Sequence, residues 1–110
     1  MASNAINTVG RRKKSVARIY LKEGSGKFHI NNRDGEHYLA SDLLIMKVNY
    51  PFELLELSRS NFDIHVRAAG GGPNGQAEAI RLGLARALEK LNPECRPAMK
   101  AAGLMRVDDR

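Results

Sequence analysis

The feature that most constrains this chain is the run Gly70-Gly71-Gly72-Pro73-Asn74-Gly75-Gln76, set directly before the Ala/Leu/Arg-rich segment 77–91. Ahead of it, 62–68 alternates, with Phe62, Ile64 and Val66 on one side and Asp63, His65 and Arg67 on the other, as a half-buried strand does. Behind it, Ala77, Ile80, Leu84, Ala87, Leu88 and Leu91 recur at three- and four-residue intervals and form one apolar stripe of a helix. Arg81 and Lys90 flank the stripe, Glu78, Arg86 and Glu89 lie opposite, and Asn92-Pro93 closes the run. The order is therefore strand, glycine-rich loop, long helix. Leu82 falls on the polar side, and Gly83 costs about 1 kcal/mol relative to Ala unless a close approach needs it. Both point to a second contact surface on the helix.

Consecutive N–H groups at a helix mouth can cradle an anion, but the same glycines also make an ordinary tight turn. The residues alone leave both readings open. No Lys-Ser or Lys-Thr follows Gly75 and the spacing is not G-x-G-x-x-G, so the loop lacks the marks of a specific triphosphate site.

Charge supplies the second constraint. The chain has 110 residues and a formal net charge of +6. Arg11, Arg12, Lys13, Lys14, Arg18, Lys22 and Lys27 face only Glu23 within 11–27, so that segment holds the whole excess. A near-neutral domain with a basic first strand is the distribution of a polyanion binder. One cysteine, Cys95, rules out an internal disulfide framework and fits a small packing residue in a reducing compartment. No secretory signal or membrane span is visible, and cytoplasm is the default compartment.

One domain is expected, with 1–8 as a flexible arm. Residues 15–22 alternate, Ala17, Ile19 and Leu21 pointing opposite to Val16, Arg18, Tyr20 and Lys22. A turn at Gly24-Ser25-Gly26 and a second strand, 27–31, then predict a hairpin, and Asn31-Asn32 turns the chain again. Ser41 is placed to cap a short helix from Asp42 to about Asn49, with Leu44 and Val48 inward and Pro51 forbidding much continuation. The segment 52–57 shows neither period. After Pro93 a short turn and a helix over 97–102 are expected, ended by Gly103 with Leu104 as its hydrophobic follow-on. The predicted fold class is α+β, a single domain with a mostly antiparallel sheet and helices on one face.

No catalytic constellation emerges. His29, His65, Asp63 and Cys95 share no spacing that ties them together, and no paired metal-ligand spacing occurs. The sheet lacks the aromatic signature of a base-stacking module, and no helix clusters basic residues for a major groove. Backbone and shape recognition of folded RNA is the expected mode.

Several motifs, in order, carry a resemblance. Gly10-Arg11-Arg12-Lys13-Lys14-Ser15-Val16-Ala17-Arg18, the turn 24–27, Gly70-Gly71-Gly72 with Gly75-Gln76-Ala77, Ala79-Ile80-Arg81 with Ala85-Arg86-Ala87-Leu88, and Arg96-Pro97 with Lys100-Ala101-Ala102-Gly103 together resemble the small ribosomal subunit protein nine family, bacterial or organellar type. The resemblance implies a fold like the second domain of ribosomal protein five, with a left-handed β-α-β crossover that general rules disfavour. It implies a non-enzymatic protein, without cofactor or metal, bound to ribosomal RNA and neighbouring proteins in the subunit head.

On that reading Arg11, Arg12, Lys13, Lys14 and Arg18 neutralise phosphates, Gly70, Gly71 and Gly72 let the RNA backbone approach, and Gln76 and Arg81 add polar contacts. Lys27, Arg86, Arg96, Lys100 and Arg106 complete the expected RNA-binding set. The family pattern continues beyond the Asp108-Asp109-Arg110 region as a basic tail that reaches transfer RNA; this sequence ends at Arg110, so that contact carries onto no residue here. The alternative is a small phosphate- or nucleotide-handling enzyme that uses the glycine loop.

Overall fold

The sheet grows outward from the strand that the alternation of 15–22 predicts. In the computed structural model, which describes residues 5–104, that strand is β2, Ser15–Glu23, with Ala17, Ile19 and Leu21 buried and Arg18, Tyr20 and Lys22 exposed. Its first neighbour is β1, Ile6–Arg12, antiparallel with Ile6 opposite Leu21, Thr8 opposite Ile19 and Gly10 opposite Ala17. Residues 6–8 are thus paired strand and not part of a loose arm. The sequence hides β1 because its inward positions include Thr8 and Gly10, which an alternation of large apolar residues does not flag.

The predicted hairpin between β2 and the next strand does not form. β5, Phe62–Ala69, inserts beside β2 as an antiparallel neighbour, and β3, Phe28–Ile30, pairs with the far side of β5 in parallel. β4, Arg33–Asp34, closes the order β1-β2-β5-β3-β4. The turn at 24–27 is real, but the Asp63 carboxylate holds it at the mouth of β5, accepting from the backbone N–H of Ser25, Gly26 and Lys27 at 2.9, 3.2 and 3.1 Å. Period-two alternation fixes which side of a strand is buried and leaves its partner unspecified. The turn at Asn31 and Asn32 forms as expected, with φ of 54° and 66°.

The helices cover one face. α1, Gly35–Leu39, is a single short helix whose start Asp34 caps, accepting from the His37 N–H at 2.9 Å. α2, Asp42–Leu54, begins at the predicted Ser41 cap but runs through Pro51 and past Asn49. Pro51 and Phe52 are buried, and Phe52 packs on Phe62 with ring centroids 5.7 Å apart. That burial outweighs the hydrogen bond lost at proline. α3, Pro73–Leu91, starts at Pro73, four residues earlier than the apolar stripe, with proline at its first position where no N–H is needed. α4, Arg96–Ala101, follows the turn Pro93–Cys95 and ends at Gly103, φ 79°. Gly103 and Leu104 donate to the Lys100 and Met99 carbonyls at 3.0 and 2.9 Å, and Leu104 is buried.

α3 is buried on more than its stripe, since Ala79, Leu82, Gly83 and Ala85 are also inside, whereas Leu91 is exposed. The second surface that Leu82 and Gly83 announce is real: α3 packs on β1 and β2 on one side and on α2 on another. Cys95 is buried, its thiol donates to the Leu88 carbonyl at 3.6 Å, and burial pushes its pKa up, as suits a packing residue. Among the described residues no helix is long and apolar enough to cross a membrane.

Candidate nucleic-acid interface

The basic run 11–14 is the last two residues of β1 and the turn into β2, with Lys13 at φ 56°. The glycine loop lies against it. The Ser15 hydroxyl, almost wholly buried, donates to the Gly70 carbonyl at 3.1 Å. Gly70 and Gly71 hold φ of 79° and 63°, and a Cβ on either would collide with the Lys14 carbonyl or the Ser15 hydroxyl respectively. A Cβ on Gly75 would stand 2.7 Å from that same hydroxyl. Three of these glycines therefore serve close packing of loop on turn. Gly72 differs: nothing lies near its missing Cβ, and no side chain caps the α3 N-terminus that it begins. The loop is a packed turn that leaves one open position at a helix mouth.

Several expected contacts prove to have internal work. Gln76 donates to the Gly70 carbonyl at 3.0 Å and accepts from the Tyr38 hydroxyl at 2.8 Å, so its amide braces the loop from within. Asn31 extends that brace, since its amide nitrogen donates to the Ala68 carbonyl at 3.0 Å while its oxygen accepts from the Ala68 N–H at 2.9 Å. The Arg12 guanidinium pairs with Glu78 at 2.6 Å, and Lys47 reaches the other Glu78 oxygen at 3.2 Å. These cations, Arg12 foremost, hold the Glu78 carboxyl below its usual pKa against the opposing effect of burial.

Arg86 donates to the Val9 carbonyl at 2.9 Å, satisfying an acceptor on the outer edge of β1, and Lys90 approaches Asn7 in the same way at 3.5 Å. Arg96 pairs with Glu89 at 2.6 Å. Arg86, Lys90 and Arg96 line one hollow beside β1 of about 550 Å³. Arg81 is half-buried on α3 and Lys100 is exposed on α4. Arg106 lies outside the described residues.

The structure thus sorts the expected set into groups. Lys13 and Lys14 form the turn against which Gly70 and Gly71 pack at one end of the sheet, Arg11 stands at that end on the uncovered face, and Arg18 and Lys27 lie further along that face. Arg67, directly opposite Arg18, was legible as an outward position of its strand, but only the register reveals that it doubles the charge there.

A domain that gathers its cations at one end and on the open face of a sheet, the other face being closed by helices, has the build of a polyanion-binding protein. Residues 10–110 match the family model described as Ribosomal protein S9/S16. The chain is 50% identical over 102 residues to the small ribosomal subunit protein uS9 of Mycoplasmopsis synoviae, covering 93% of this chain and 77% of that one. It is 52% identical over 101 residues to the uS9 protein of Mesomycoplasma hyopneumoniae strain 7448, with 92% and 76% covered. To that of Porphyromonas gingivalis it is 47% identical over 105 residues, with 96% and 81% covered. The chain belongs to the ribosomal protein S9/S16 family. It is a structural ribosomal protein and not an enzyme, so the nucleotide-handling reading of the glycine loop falls.

Proposed function

We propose that this protein is a constituent of the small ribosomal subunit, in the cytoplasm, and binds ribosomal RNA at the end of the sheet where the β1–β2 turn meets the glycine loop. One observation carries the reading: the Ser15–Gly70 hydrogen bond fastens the most basic turn of the chain to the loop whose Gly72 is open. Cations and a helix mouth stripped of side chains then lie at the same end of the sheet, which suits a phosphate backbone. Arg11, Lys13 and Lys14 are the phosphate-neutralising residues on this reading. Arg12, Gln76 and Arg86 act one step back, holding the turn, the loop and the edge strand in place.

The test is binding of a labelled RNA hairpin duplex from the subunit head by the triple variant Arg11→Gln, Lys13→Gln, Lys14→Gln. The slope of log affinity against log salt concentration should fall by about one per cation removed, with the thermal midpoint held. Wild-type affinity and slope in that variant would remove the turn from the interface.

A further inference from the structure

The face of the sheet that the helices leave open carries a row of rings. Strand register sets Tyr20 on β2 opposite His65 on β5, and His29 on β3 beside the same His65. Three ring side chains therefore cross three adjacent strands in one line, the Tyr20 and His65 centroids lying 6.3 Å apart and tilted by 48°. One step along the strands on one side stands the pair Arg18 and Arg67; one step on the other stands Lys22, with Lys27 at the rim. Tyr20, Lys22, Lys27, His29, His65 and the Asp63 opposite Lys22 line a hollow of about 290 Å³ on this face. The two acids of the region are occupied, Asp63 by the backbone N–H groups of the 24–27 turn and Asp34 by the start of α1.

We propose that this open face binds unpaired RNA, its bases stacking on the Tyr20–His65–His29 row and its phosphates lying on Arg18 and Arg67 to one side and Lys22 and Lys27 to the other. Rings exposed on a sheet can stack only on bases that are not already stacked within a duplex. Neighbouring rows along a strand are about 7 Å apart, the reach needed to contact a base and its backbone together. Among the described residues the outward aliphatic positions of the face are Ala5, Val9, Val16 and Ala69, while its cations outnumber its acids, so a polyanion fits it better than an apolar protein surface. No stretch of the sequence announces the platform, because each ring comes from a different strand and β5 enters between β2 and β3 only in the fold.

The inference rests on RNA being the ligand, but it concerns a surface separate from the β1–β2 turn. Fluorescence anisotropy of the full chain with a labelled unpaired oligouridine decamer and with a labelled hairpin duplex separates the two. Tyr20→Ala should weaken decamer binding roughly fivefold to a hundredfold, since a stacked base is worth about 1–3 kcal/mol, and should leave the hairpin unchanged. Tyr20→Phe should bind the decamer as wild type does. Should Tyr20→Ala not fold, Tyr20→Trp gives a second reading: the chain has no tryptophan, so quenching by the decamer reports stacking at that position alone. Decamer affinity unchanged in both Tyr20→Ala and His65→Ala, or an indole signal indifferent to saturating decamer, overturns the proposal. Failure of the turn-centred reading would be seen instead as hairpin binding that ignores Arg11, Lys13 and Lys14.

Discussion

Two glycines govern how closely the longest helix sits on the sheet. A Cβ on Gly10 would run into the Ala79 carbonyl and stand 2.6 Å from the Gly83 nitrogen, while a Cβ on Gly83 would stand 2.5 Å from Ile19 Cγ1. The two obstacles differ in kind. At Gly10 the obstacle is backbone of α3, which cannot turn aside, whereas at Gly83 it is chiefly the Ile19 side chain, with the Gly10 nitrogen at 3.2 Å, and the new alanine recovers about 1 kcal/mol of helix propensity. Gly10→Ala should therefore cost about 3 kcal/mol and Gly83→Ala about 1 kcal/mol, within the range measured for overpacked cores. Thermal unfolding checks the order, and a Gly10→Ala midpoint at or above that of Gly83→Ala would mean that the helix can lift off β1 cheaply. The Thr8 hydroxyl, which donates to the Gly83 carbonyl at 2.7 Å, marks the same contact and argues against such lifting.

Between elements, Glu78 joins three at once: it belongs to α3 and holds Arg12 of β1 and Lys47 of α2. Its carboxyl is kept below the usual range in the folded chain, so its contribution is present above the unfolded pKa near 4.3 and is lost as pH falls through the folded value. Glu78→Gln should lower stability by about 1 kcal/mol at pH 7, as a partly exposed network would. The gap between variant and wild type should close in urea titrations repeated at about pH 3, and a gap that persists there would show that packing, not charge, ties the elements together. The Glu78 knot also shows where the sequence stops being readable. Glu78 is visible as a polar helix position, but its partners lie 66 and 31 residues away and nothing local names them. The same limit explains β5, whose inward Phe62, Ile64 and Val66 are plain from alternation although its place between β2 and β3 is not. Pro51 shows the opposite failure, a local rule overridden by the burial of Phe52. At the site, the clustering of cations over 11–14 was legible from composition. The brace from Tyr38 through Gln76 to the loop was not, because it depends on a hydroxyl arriving from 38 residues away.

At the scale of the whole molecule the two surfaces can be separated by how they combine. Lys14 ends the β1–β2 turn, and Tyr20 lies six residues further along β2, about 20 Å away at the rise of an extended strand. Residues that far apart contribute independently to binding. An RNA that carries a hairpin duplex followed by an unpaired stretch should therefore feel both. The triple neutralisation at Arg11, Lys13 and Lys14 should reduce its affinity and flatten its salt response, while Tyr20→Ala should reduce affinity with the salt slope unchanged, since a ring releases no counterions. Combined, the losses in free energy should add to within about 0.5 kcal/mol. A combined loss well short of that sum would mean that the RNA reaches only one surface at a time. Additive losses, with the change in slope confined to the triple variant, would place duplex and unpaired RNA on two separate surfaces of one small domain, joined through β2.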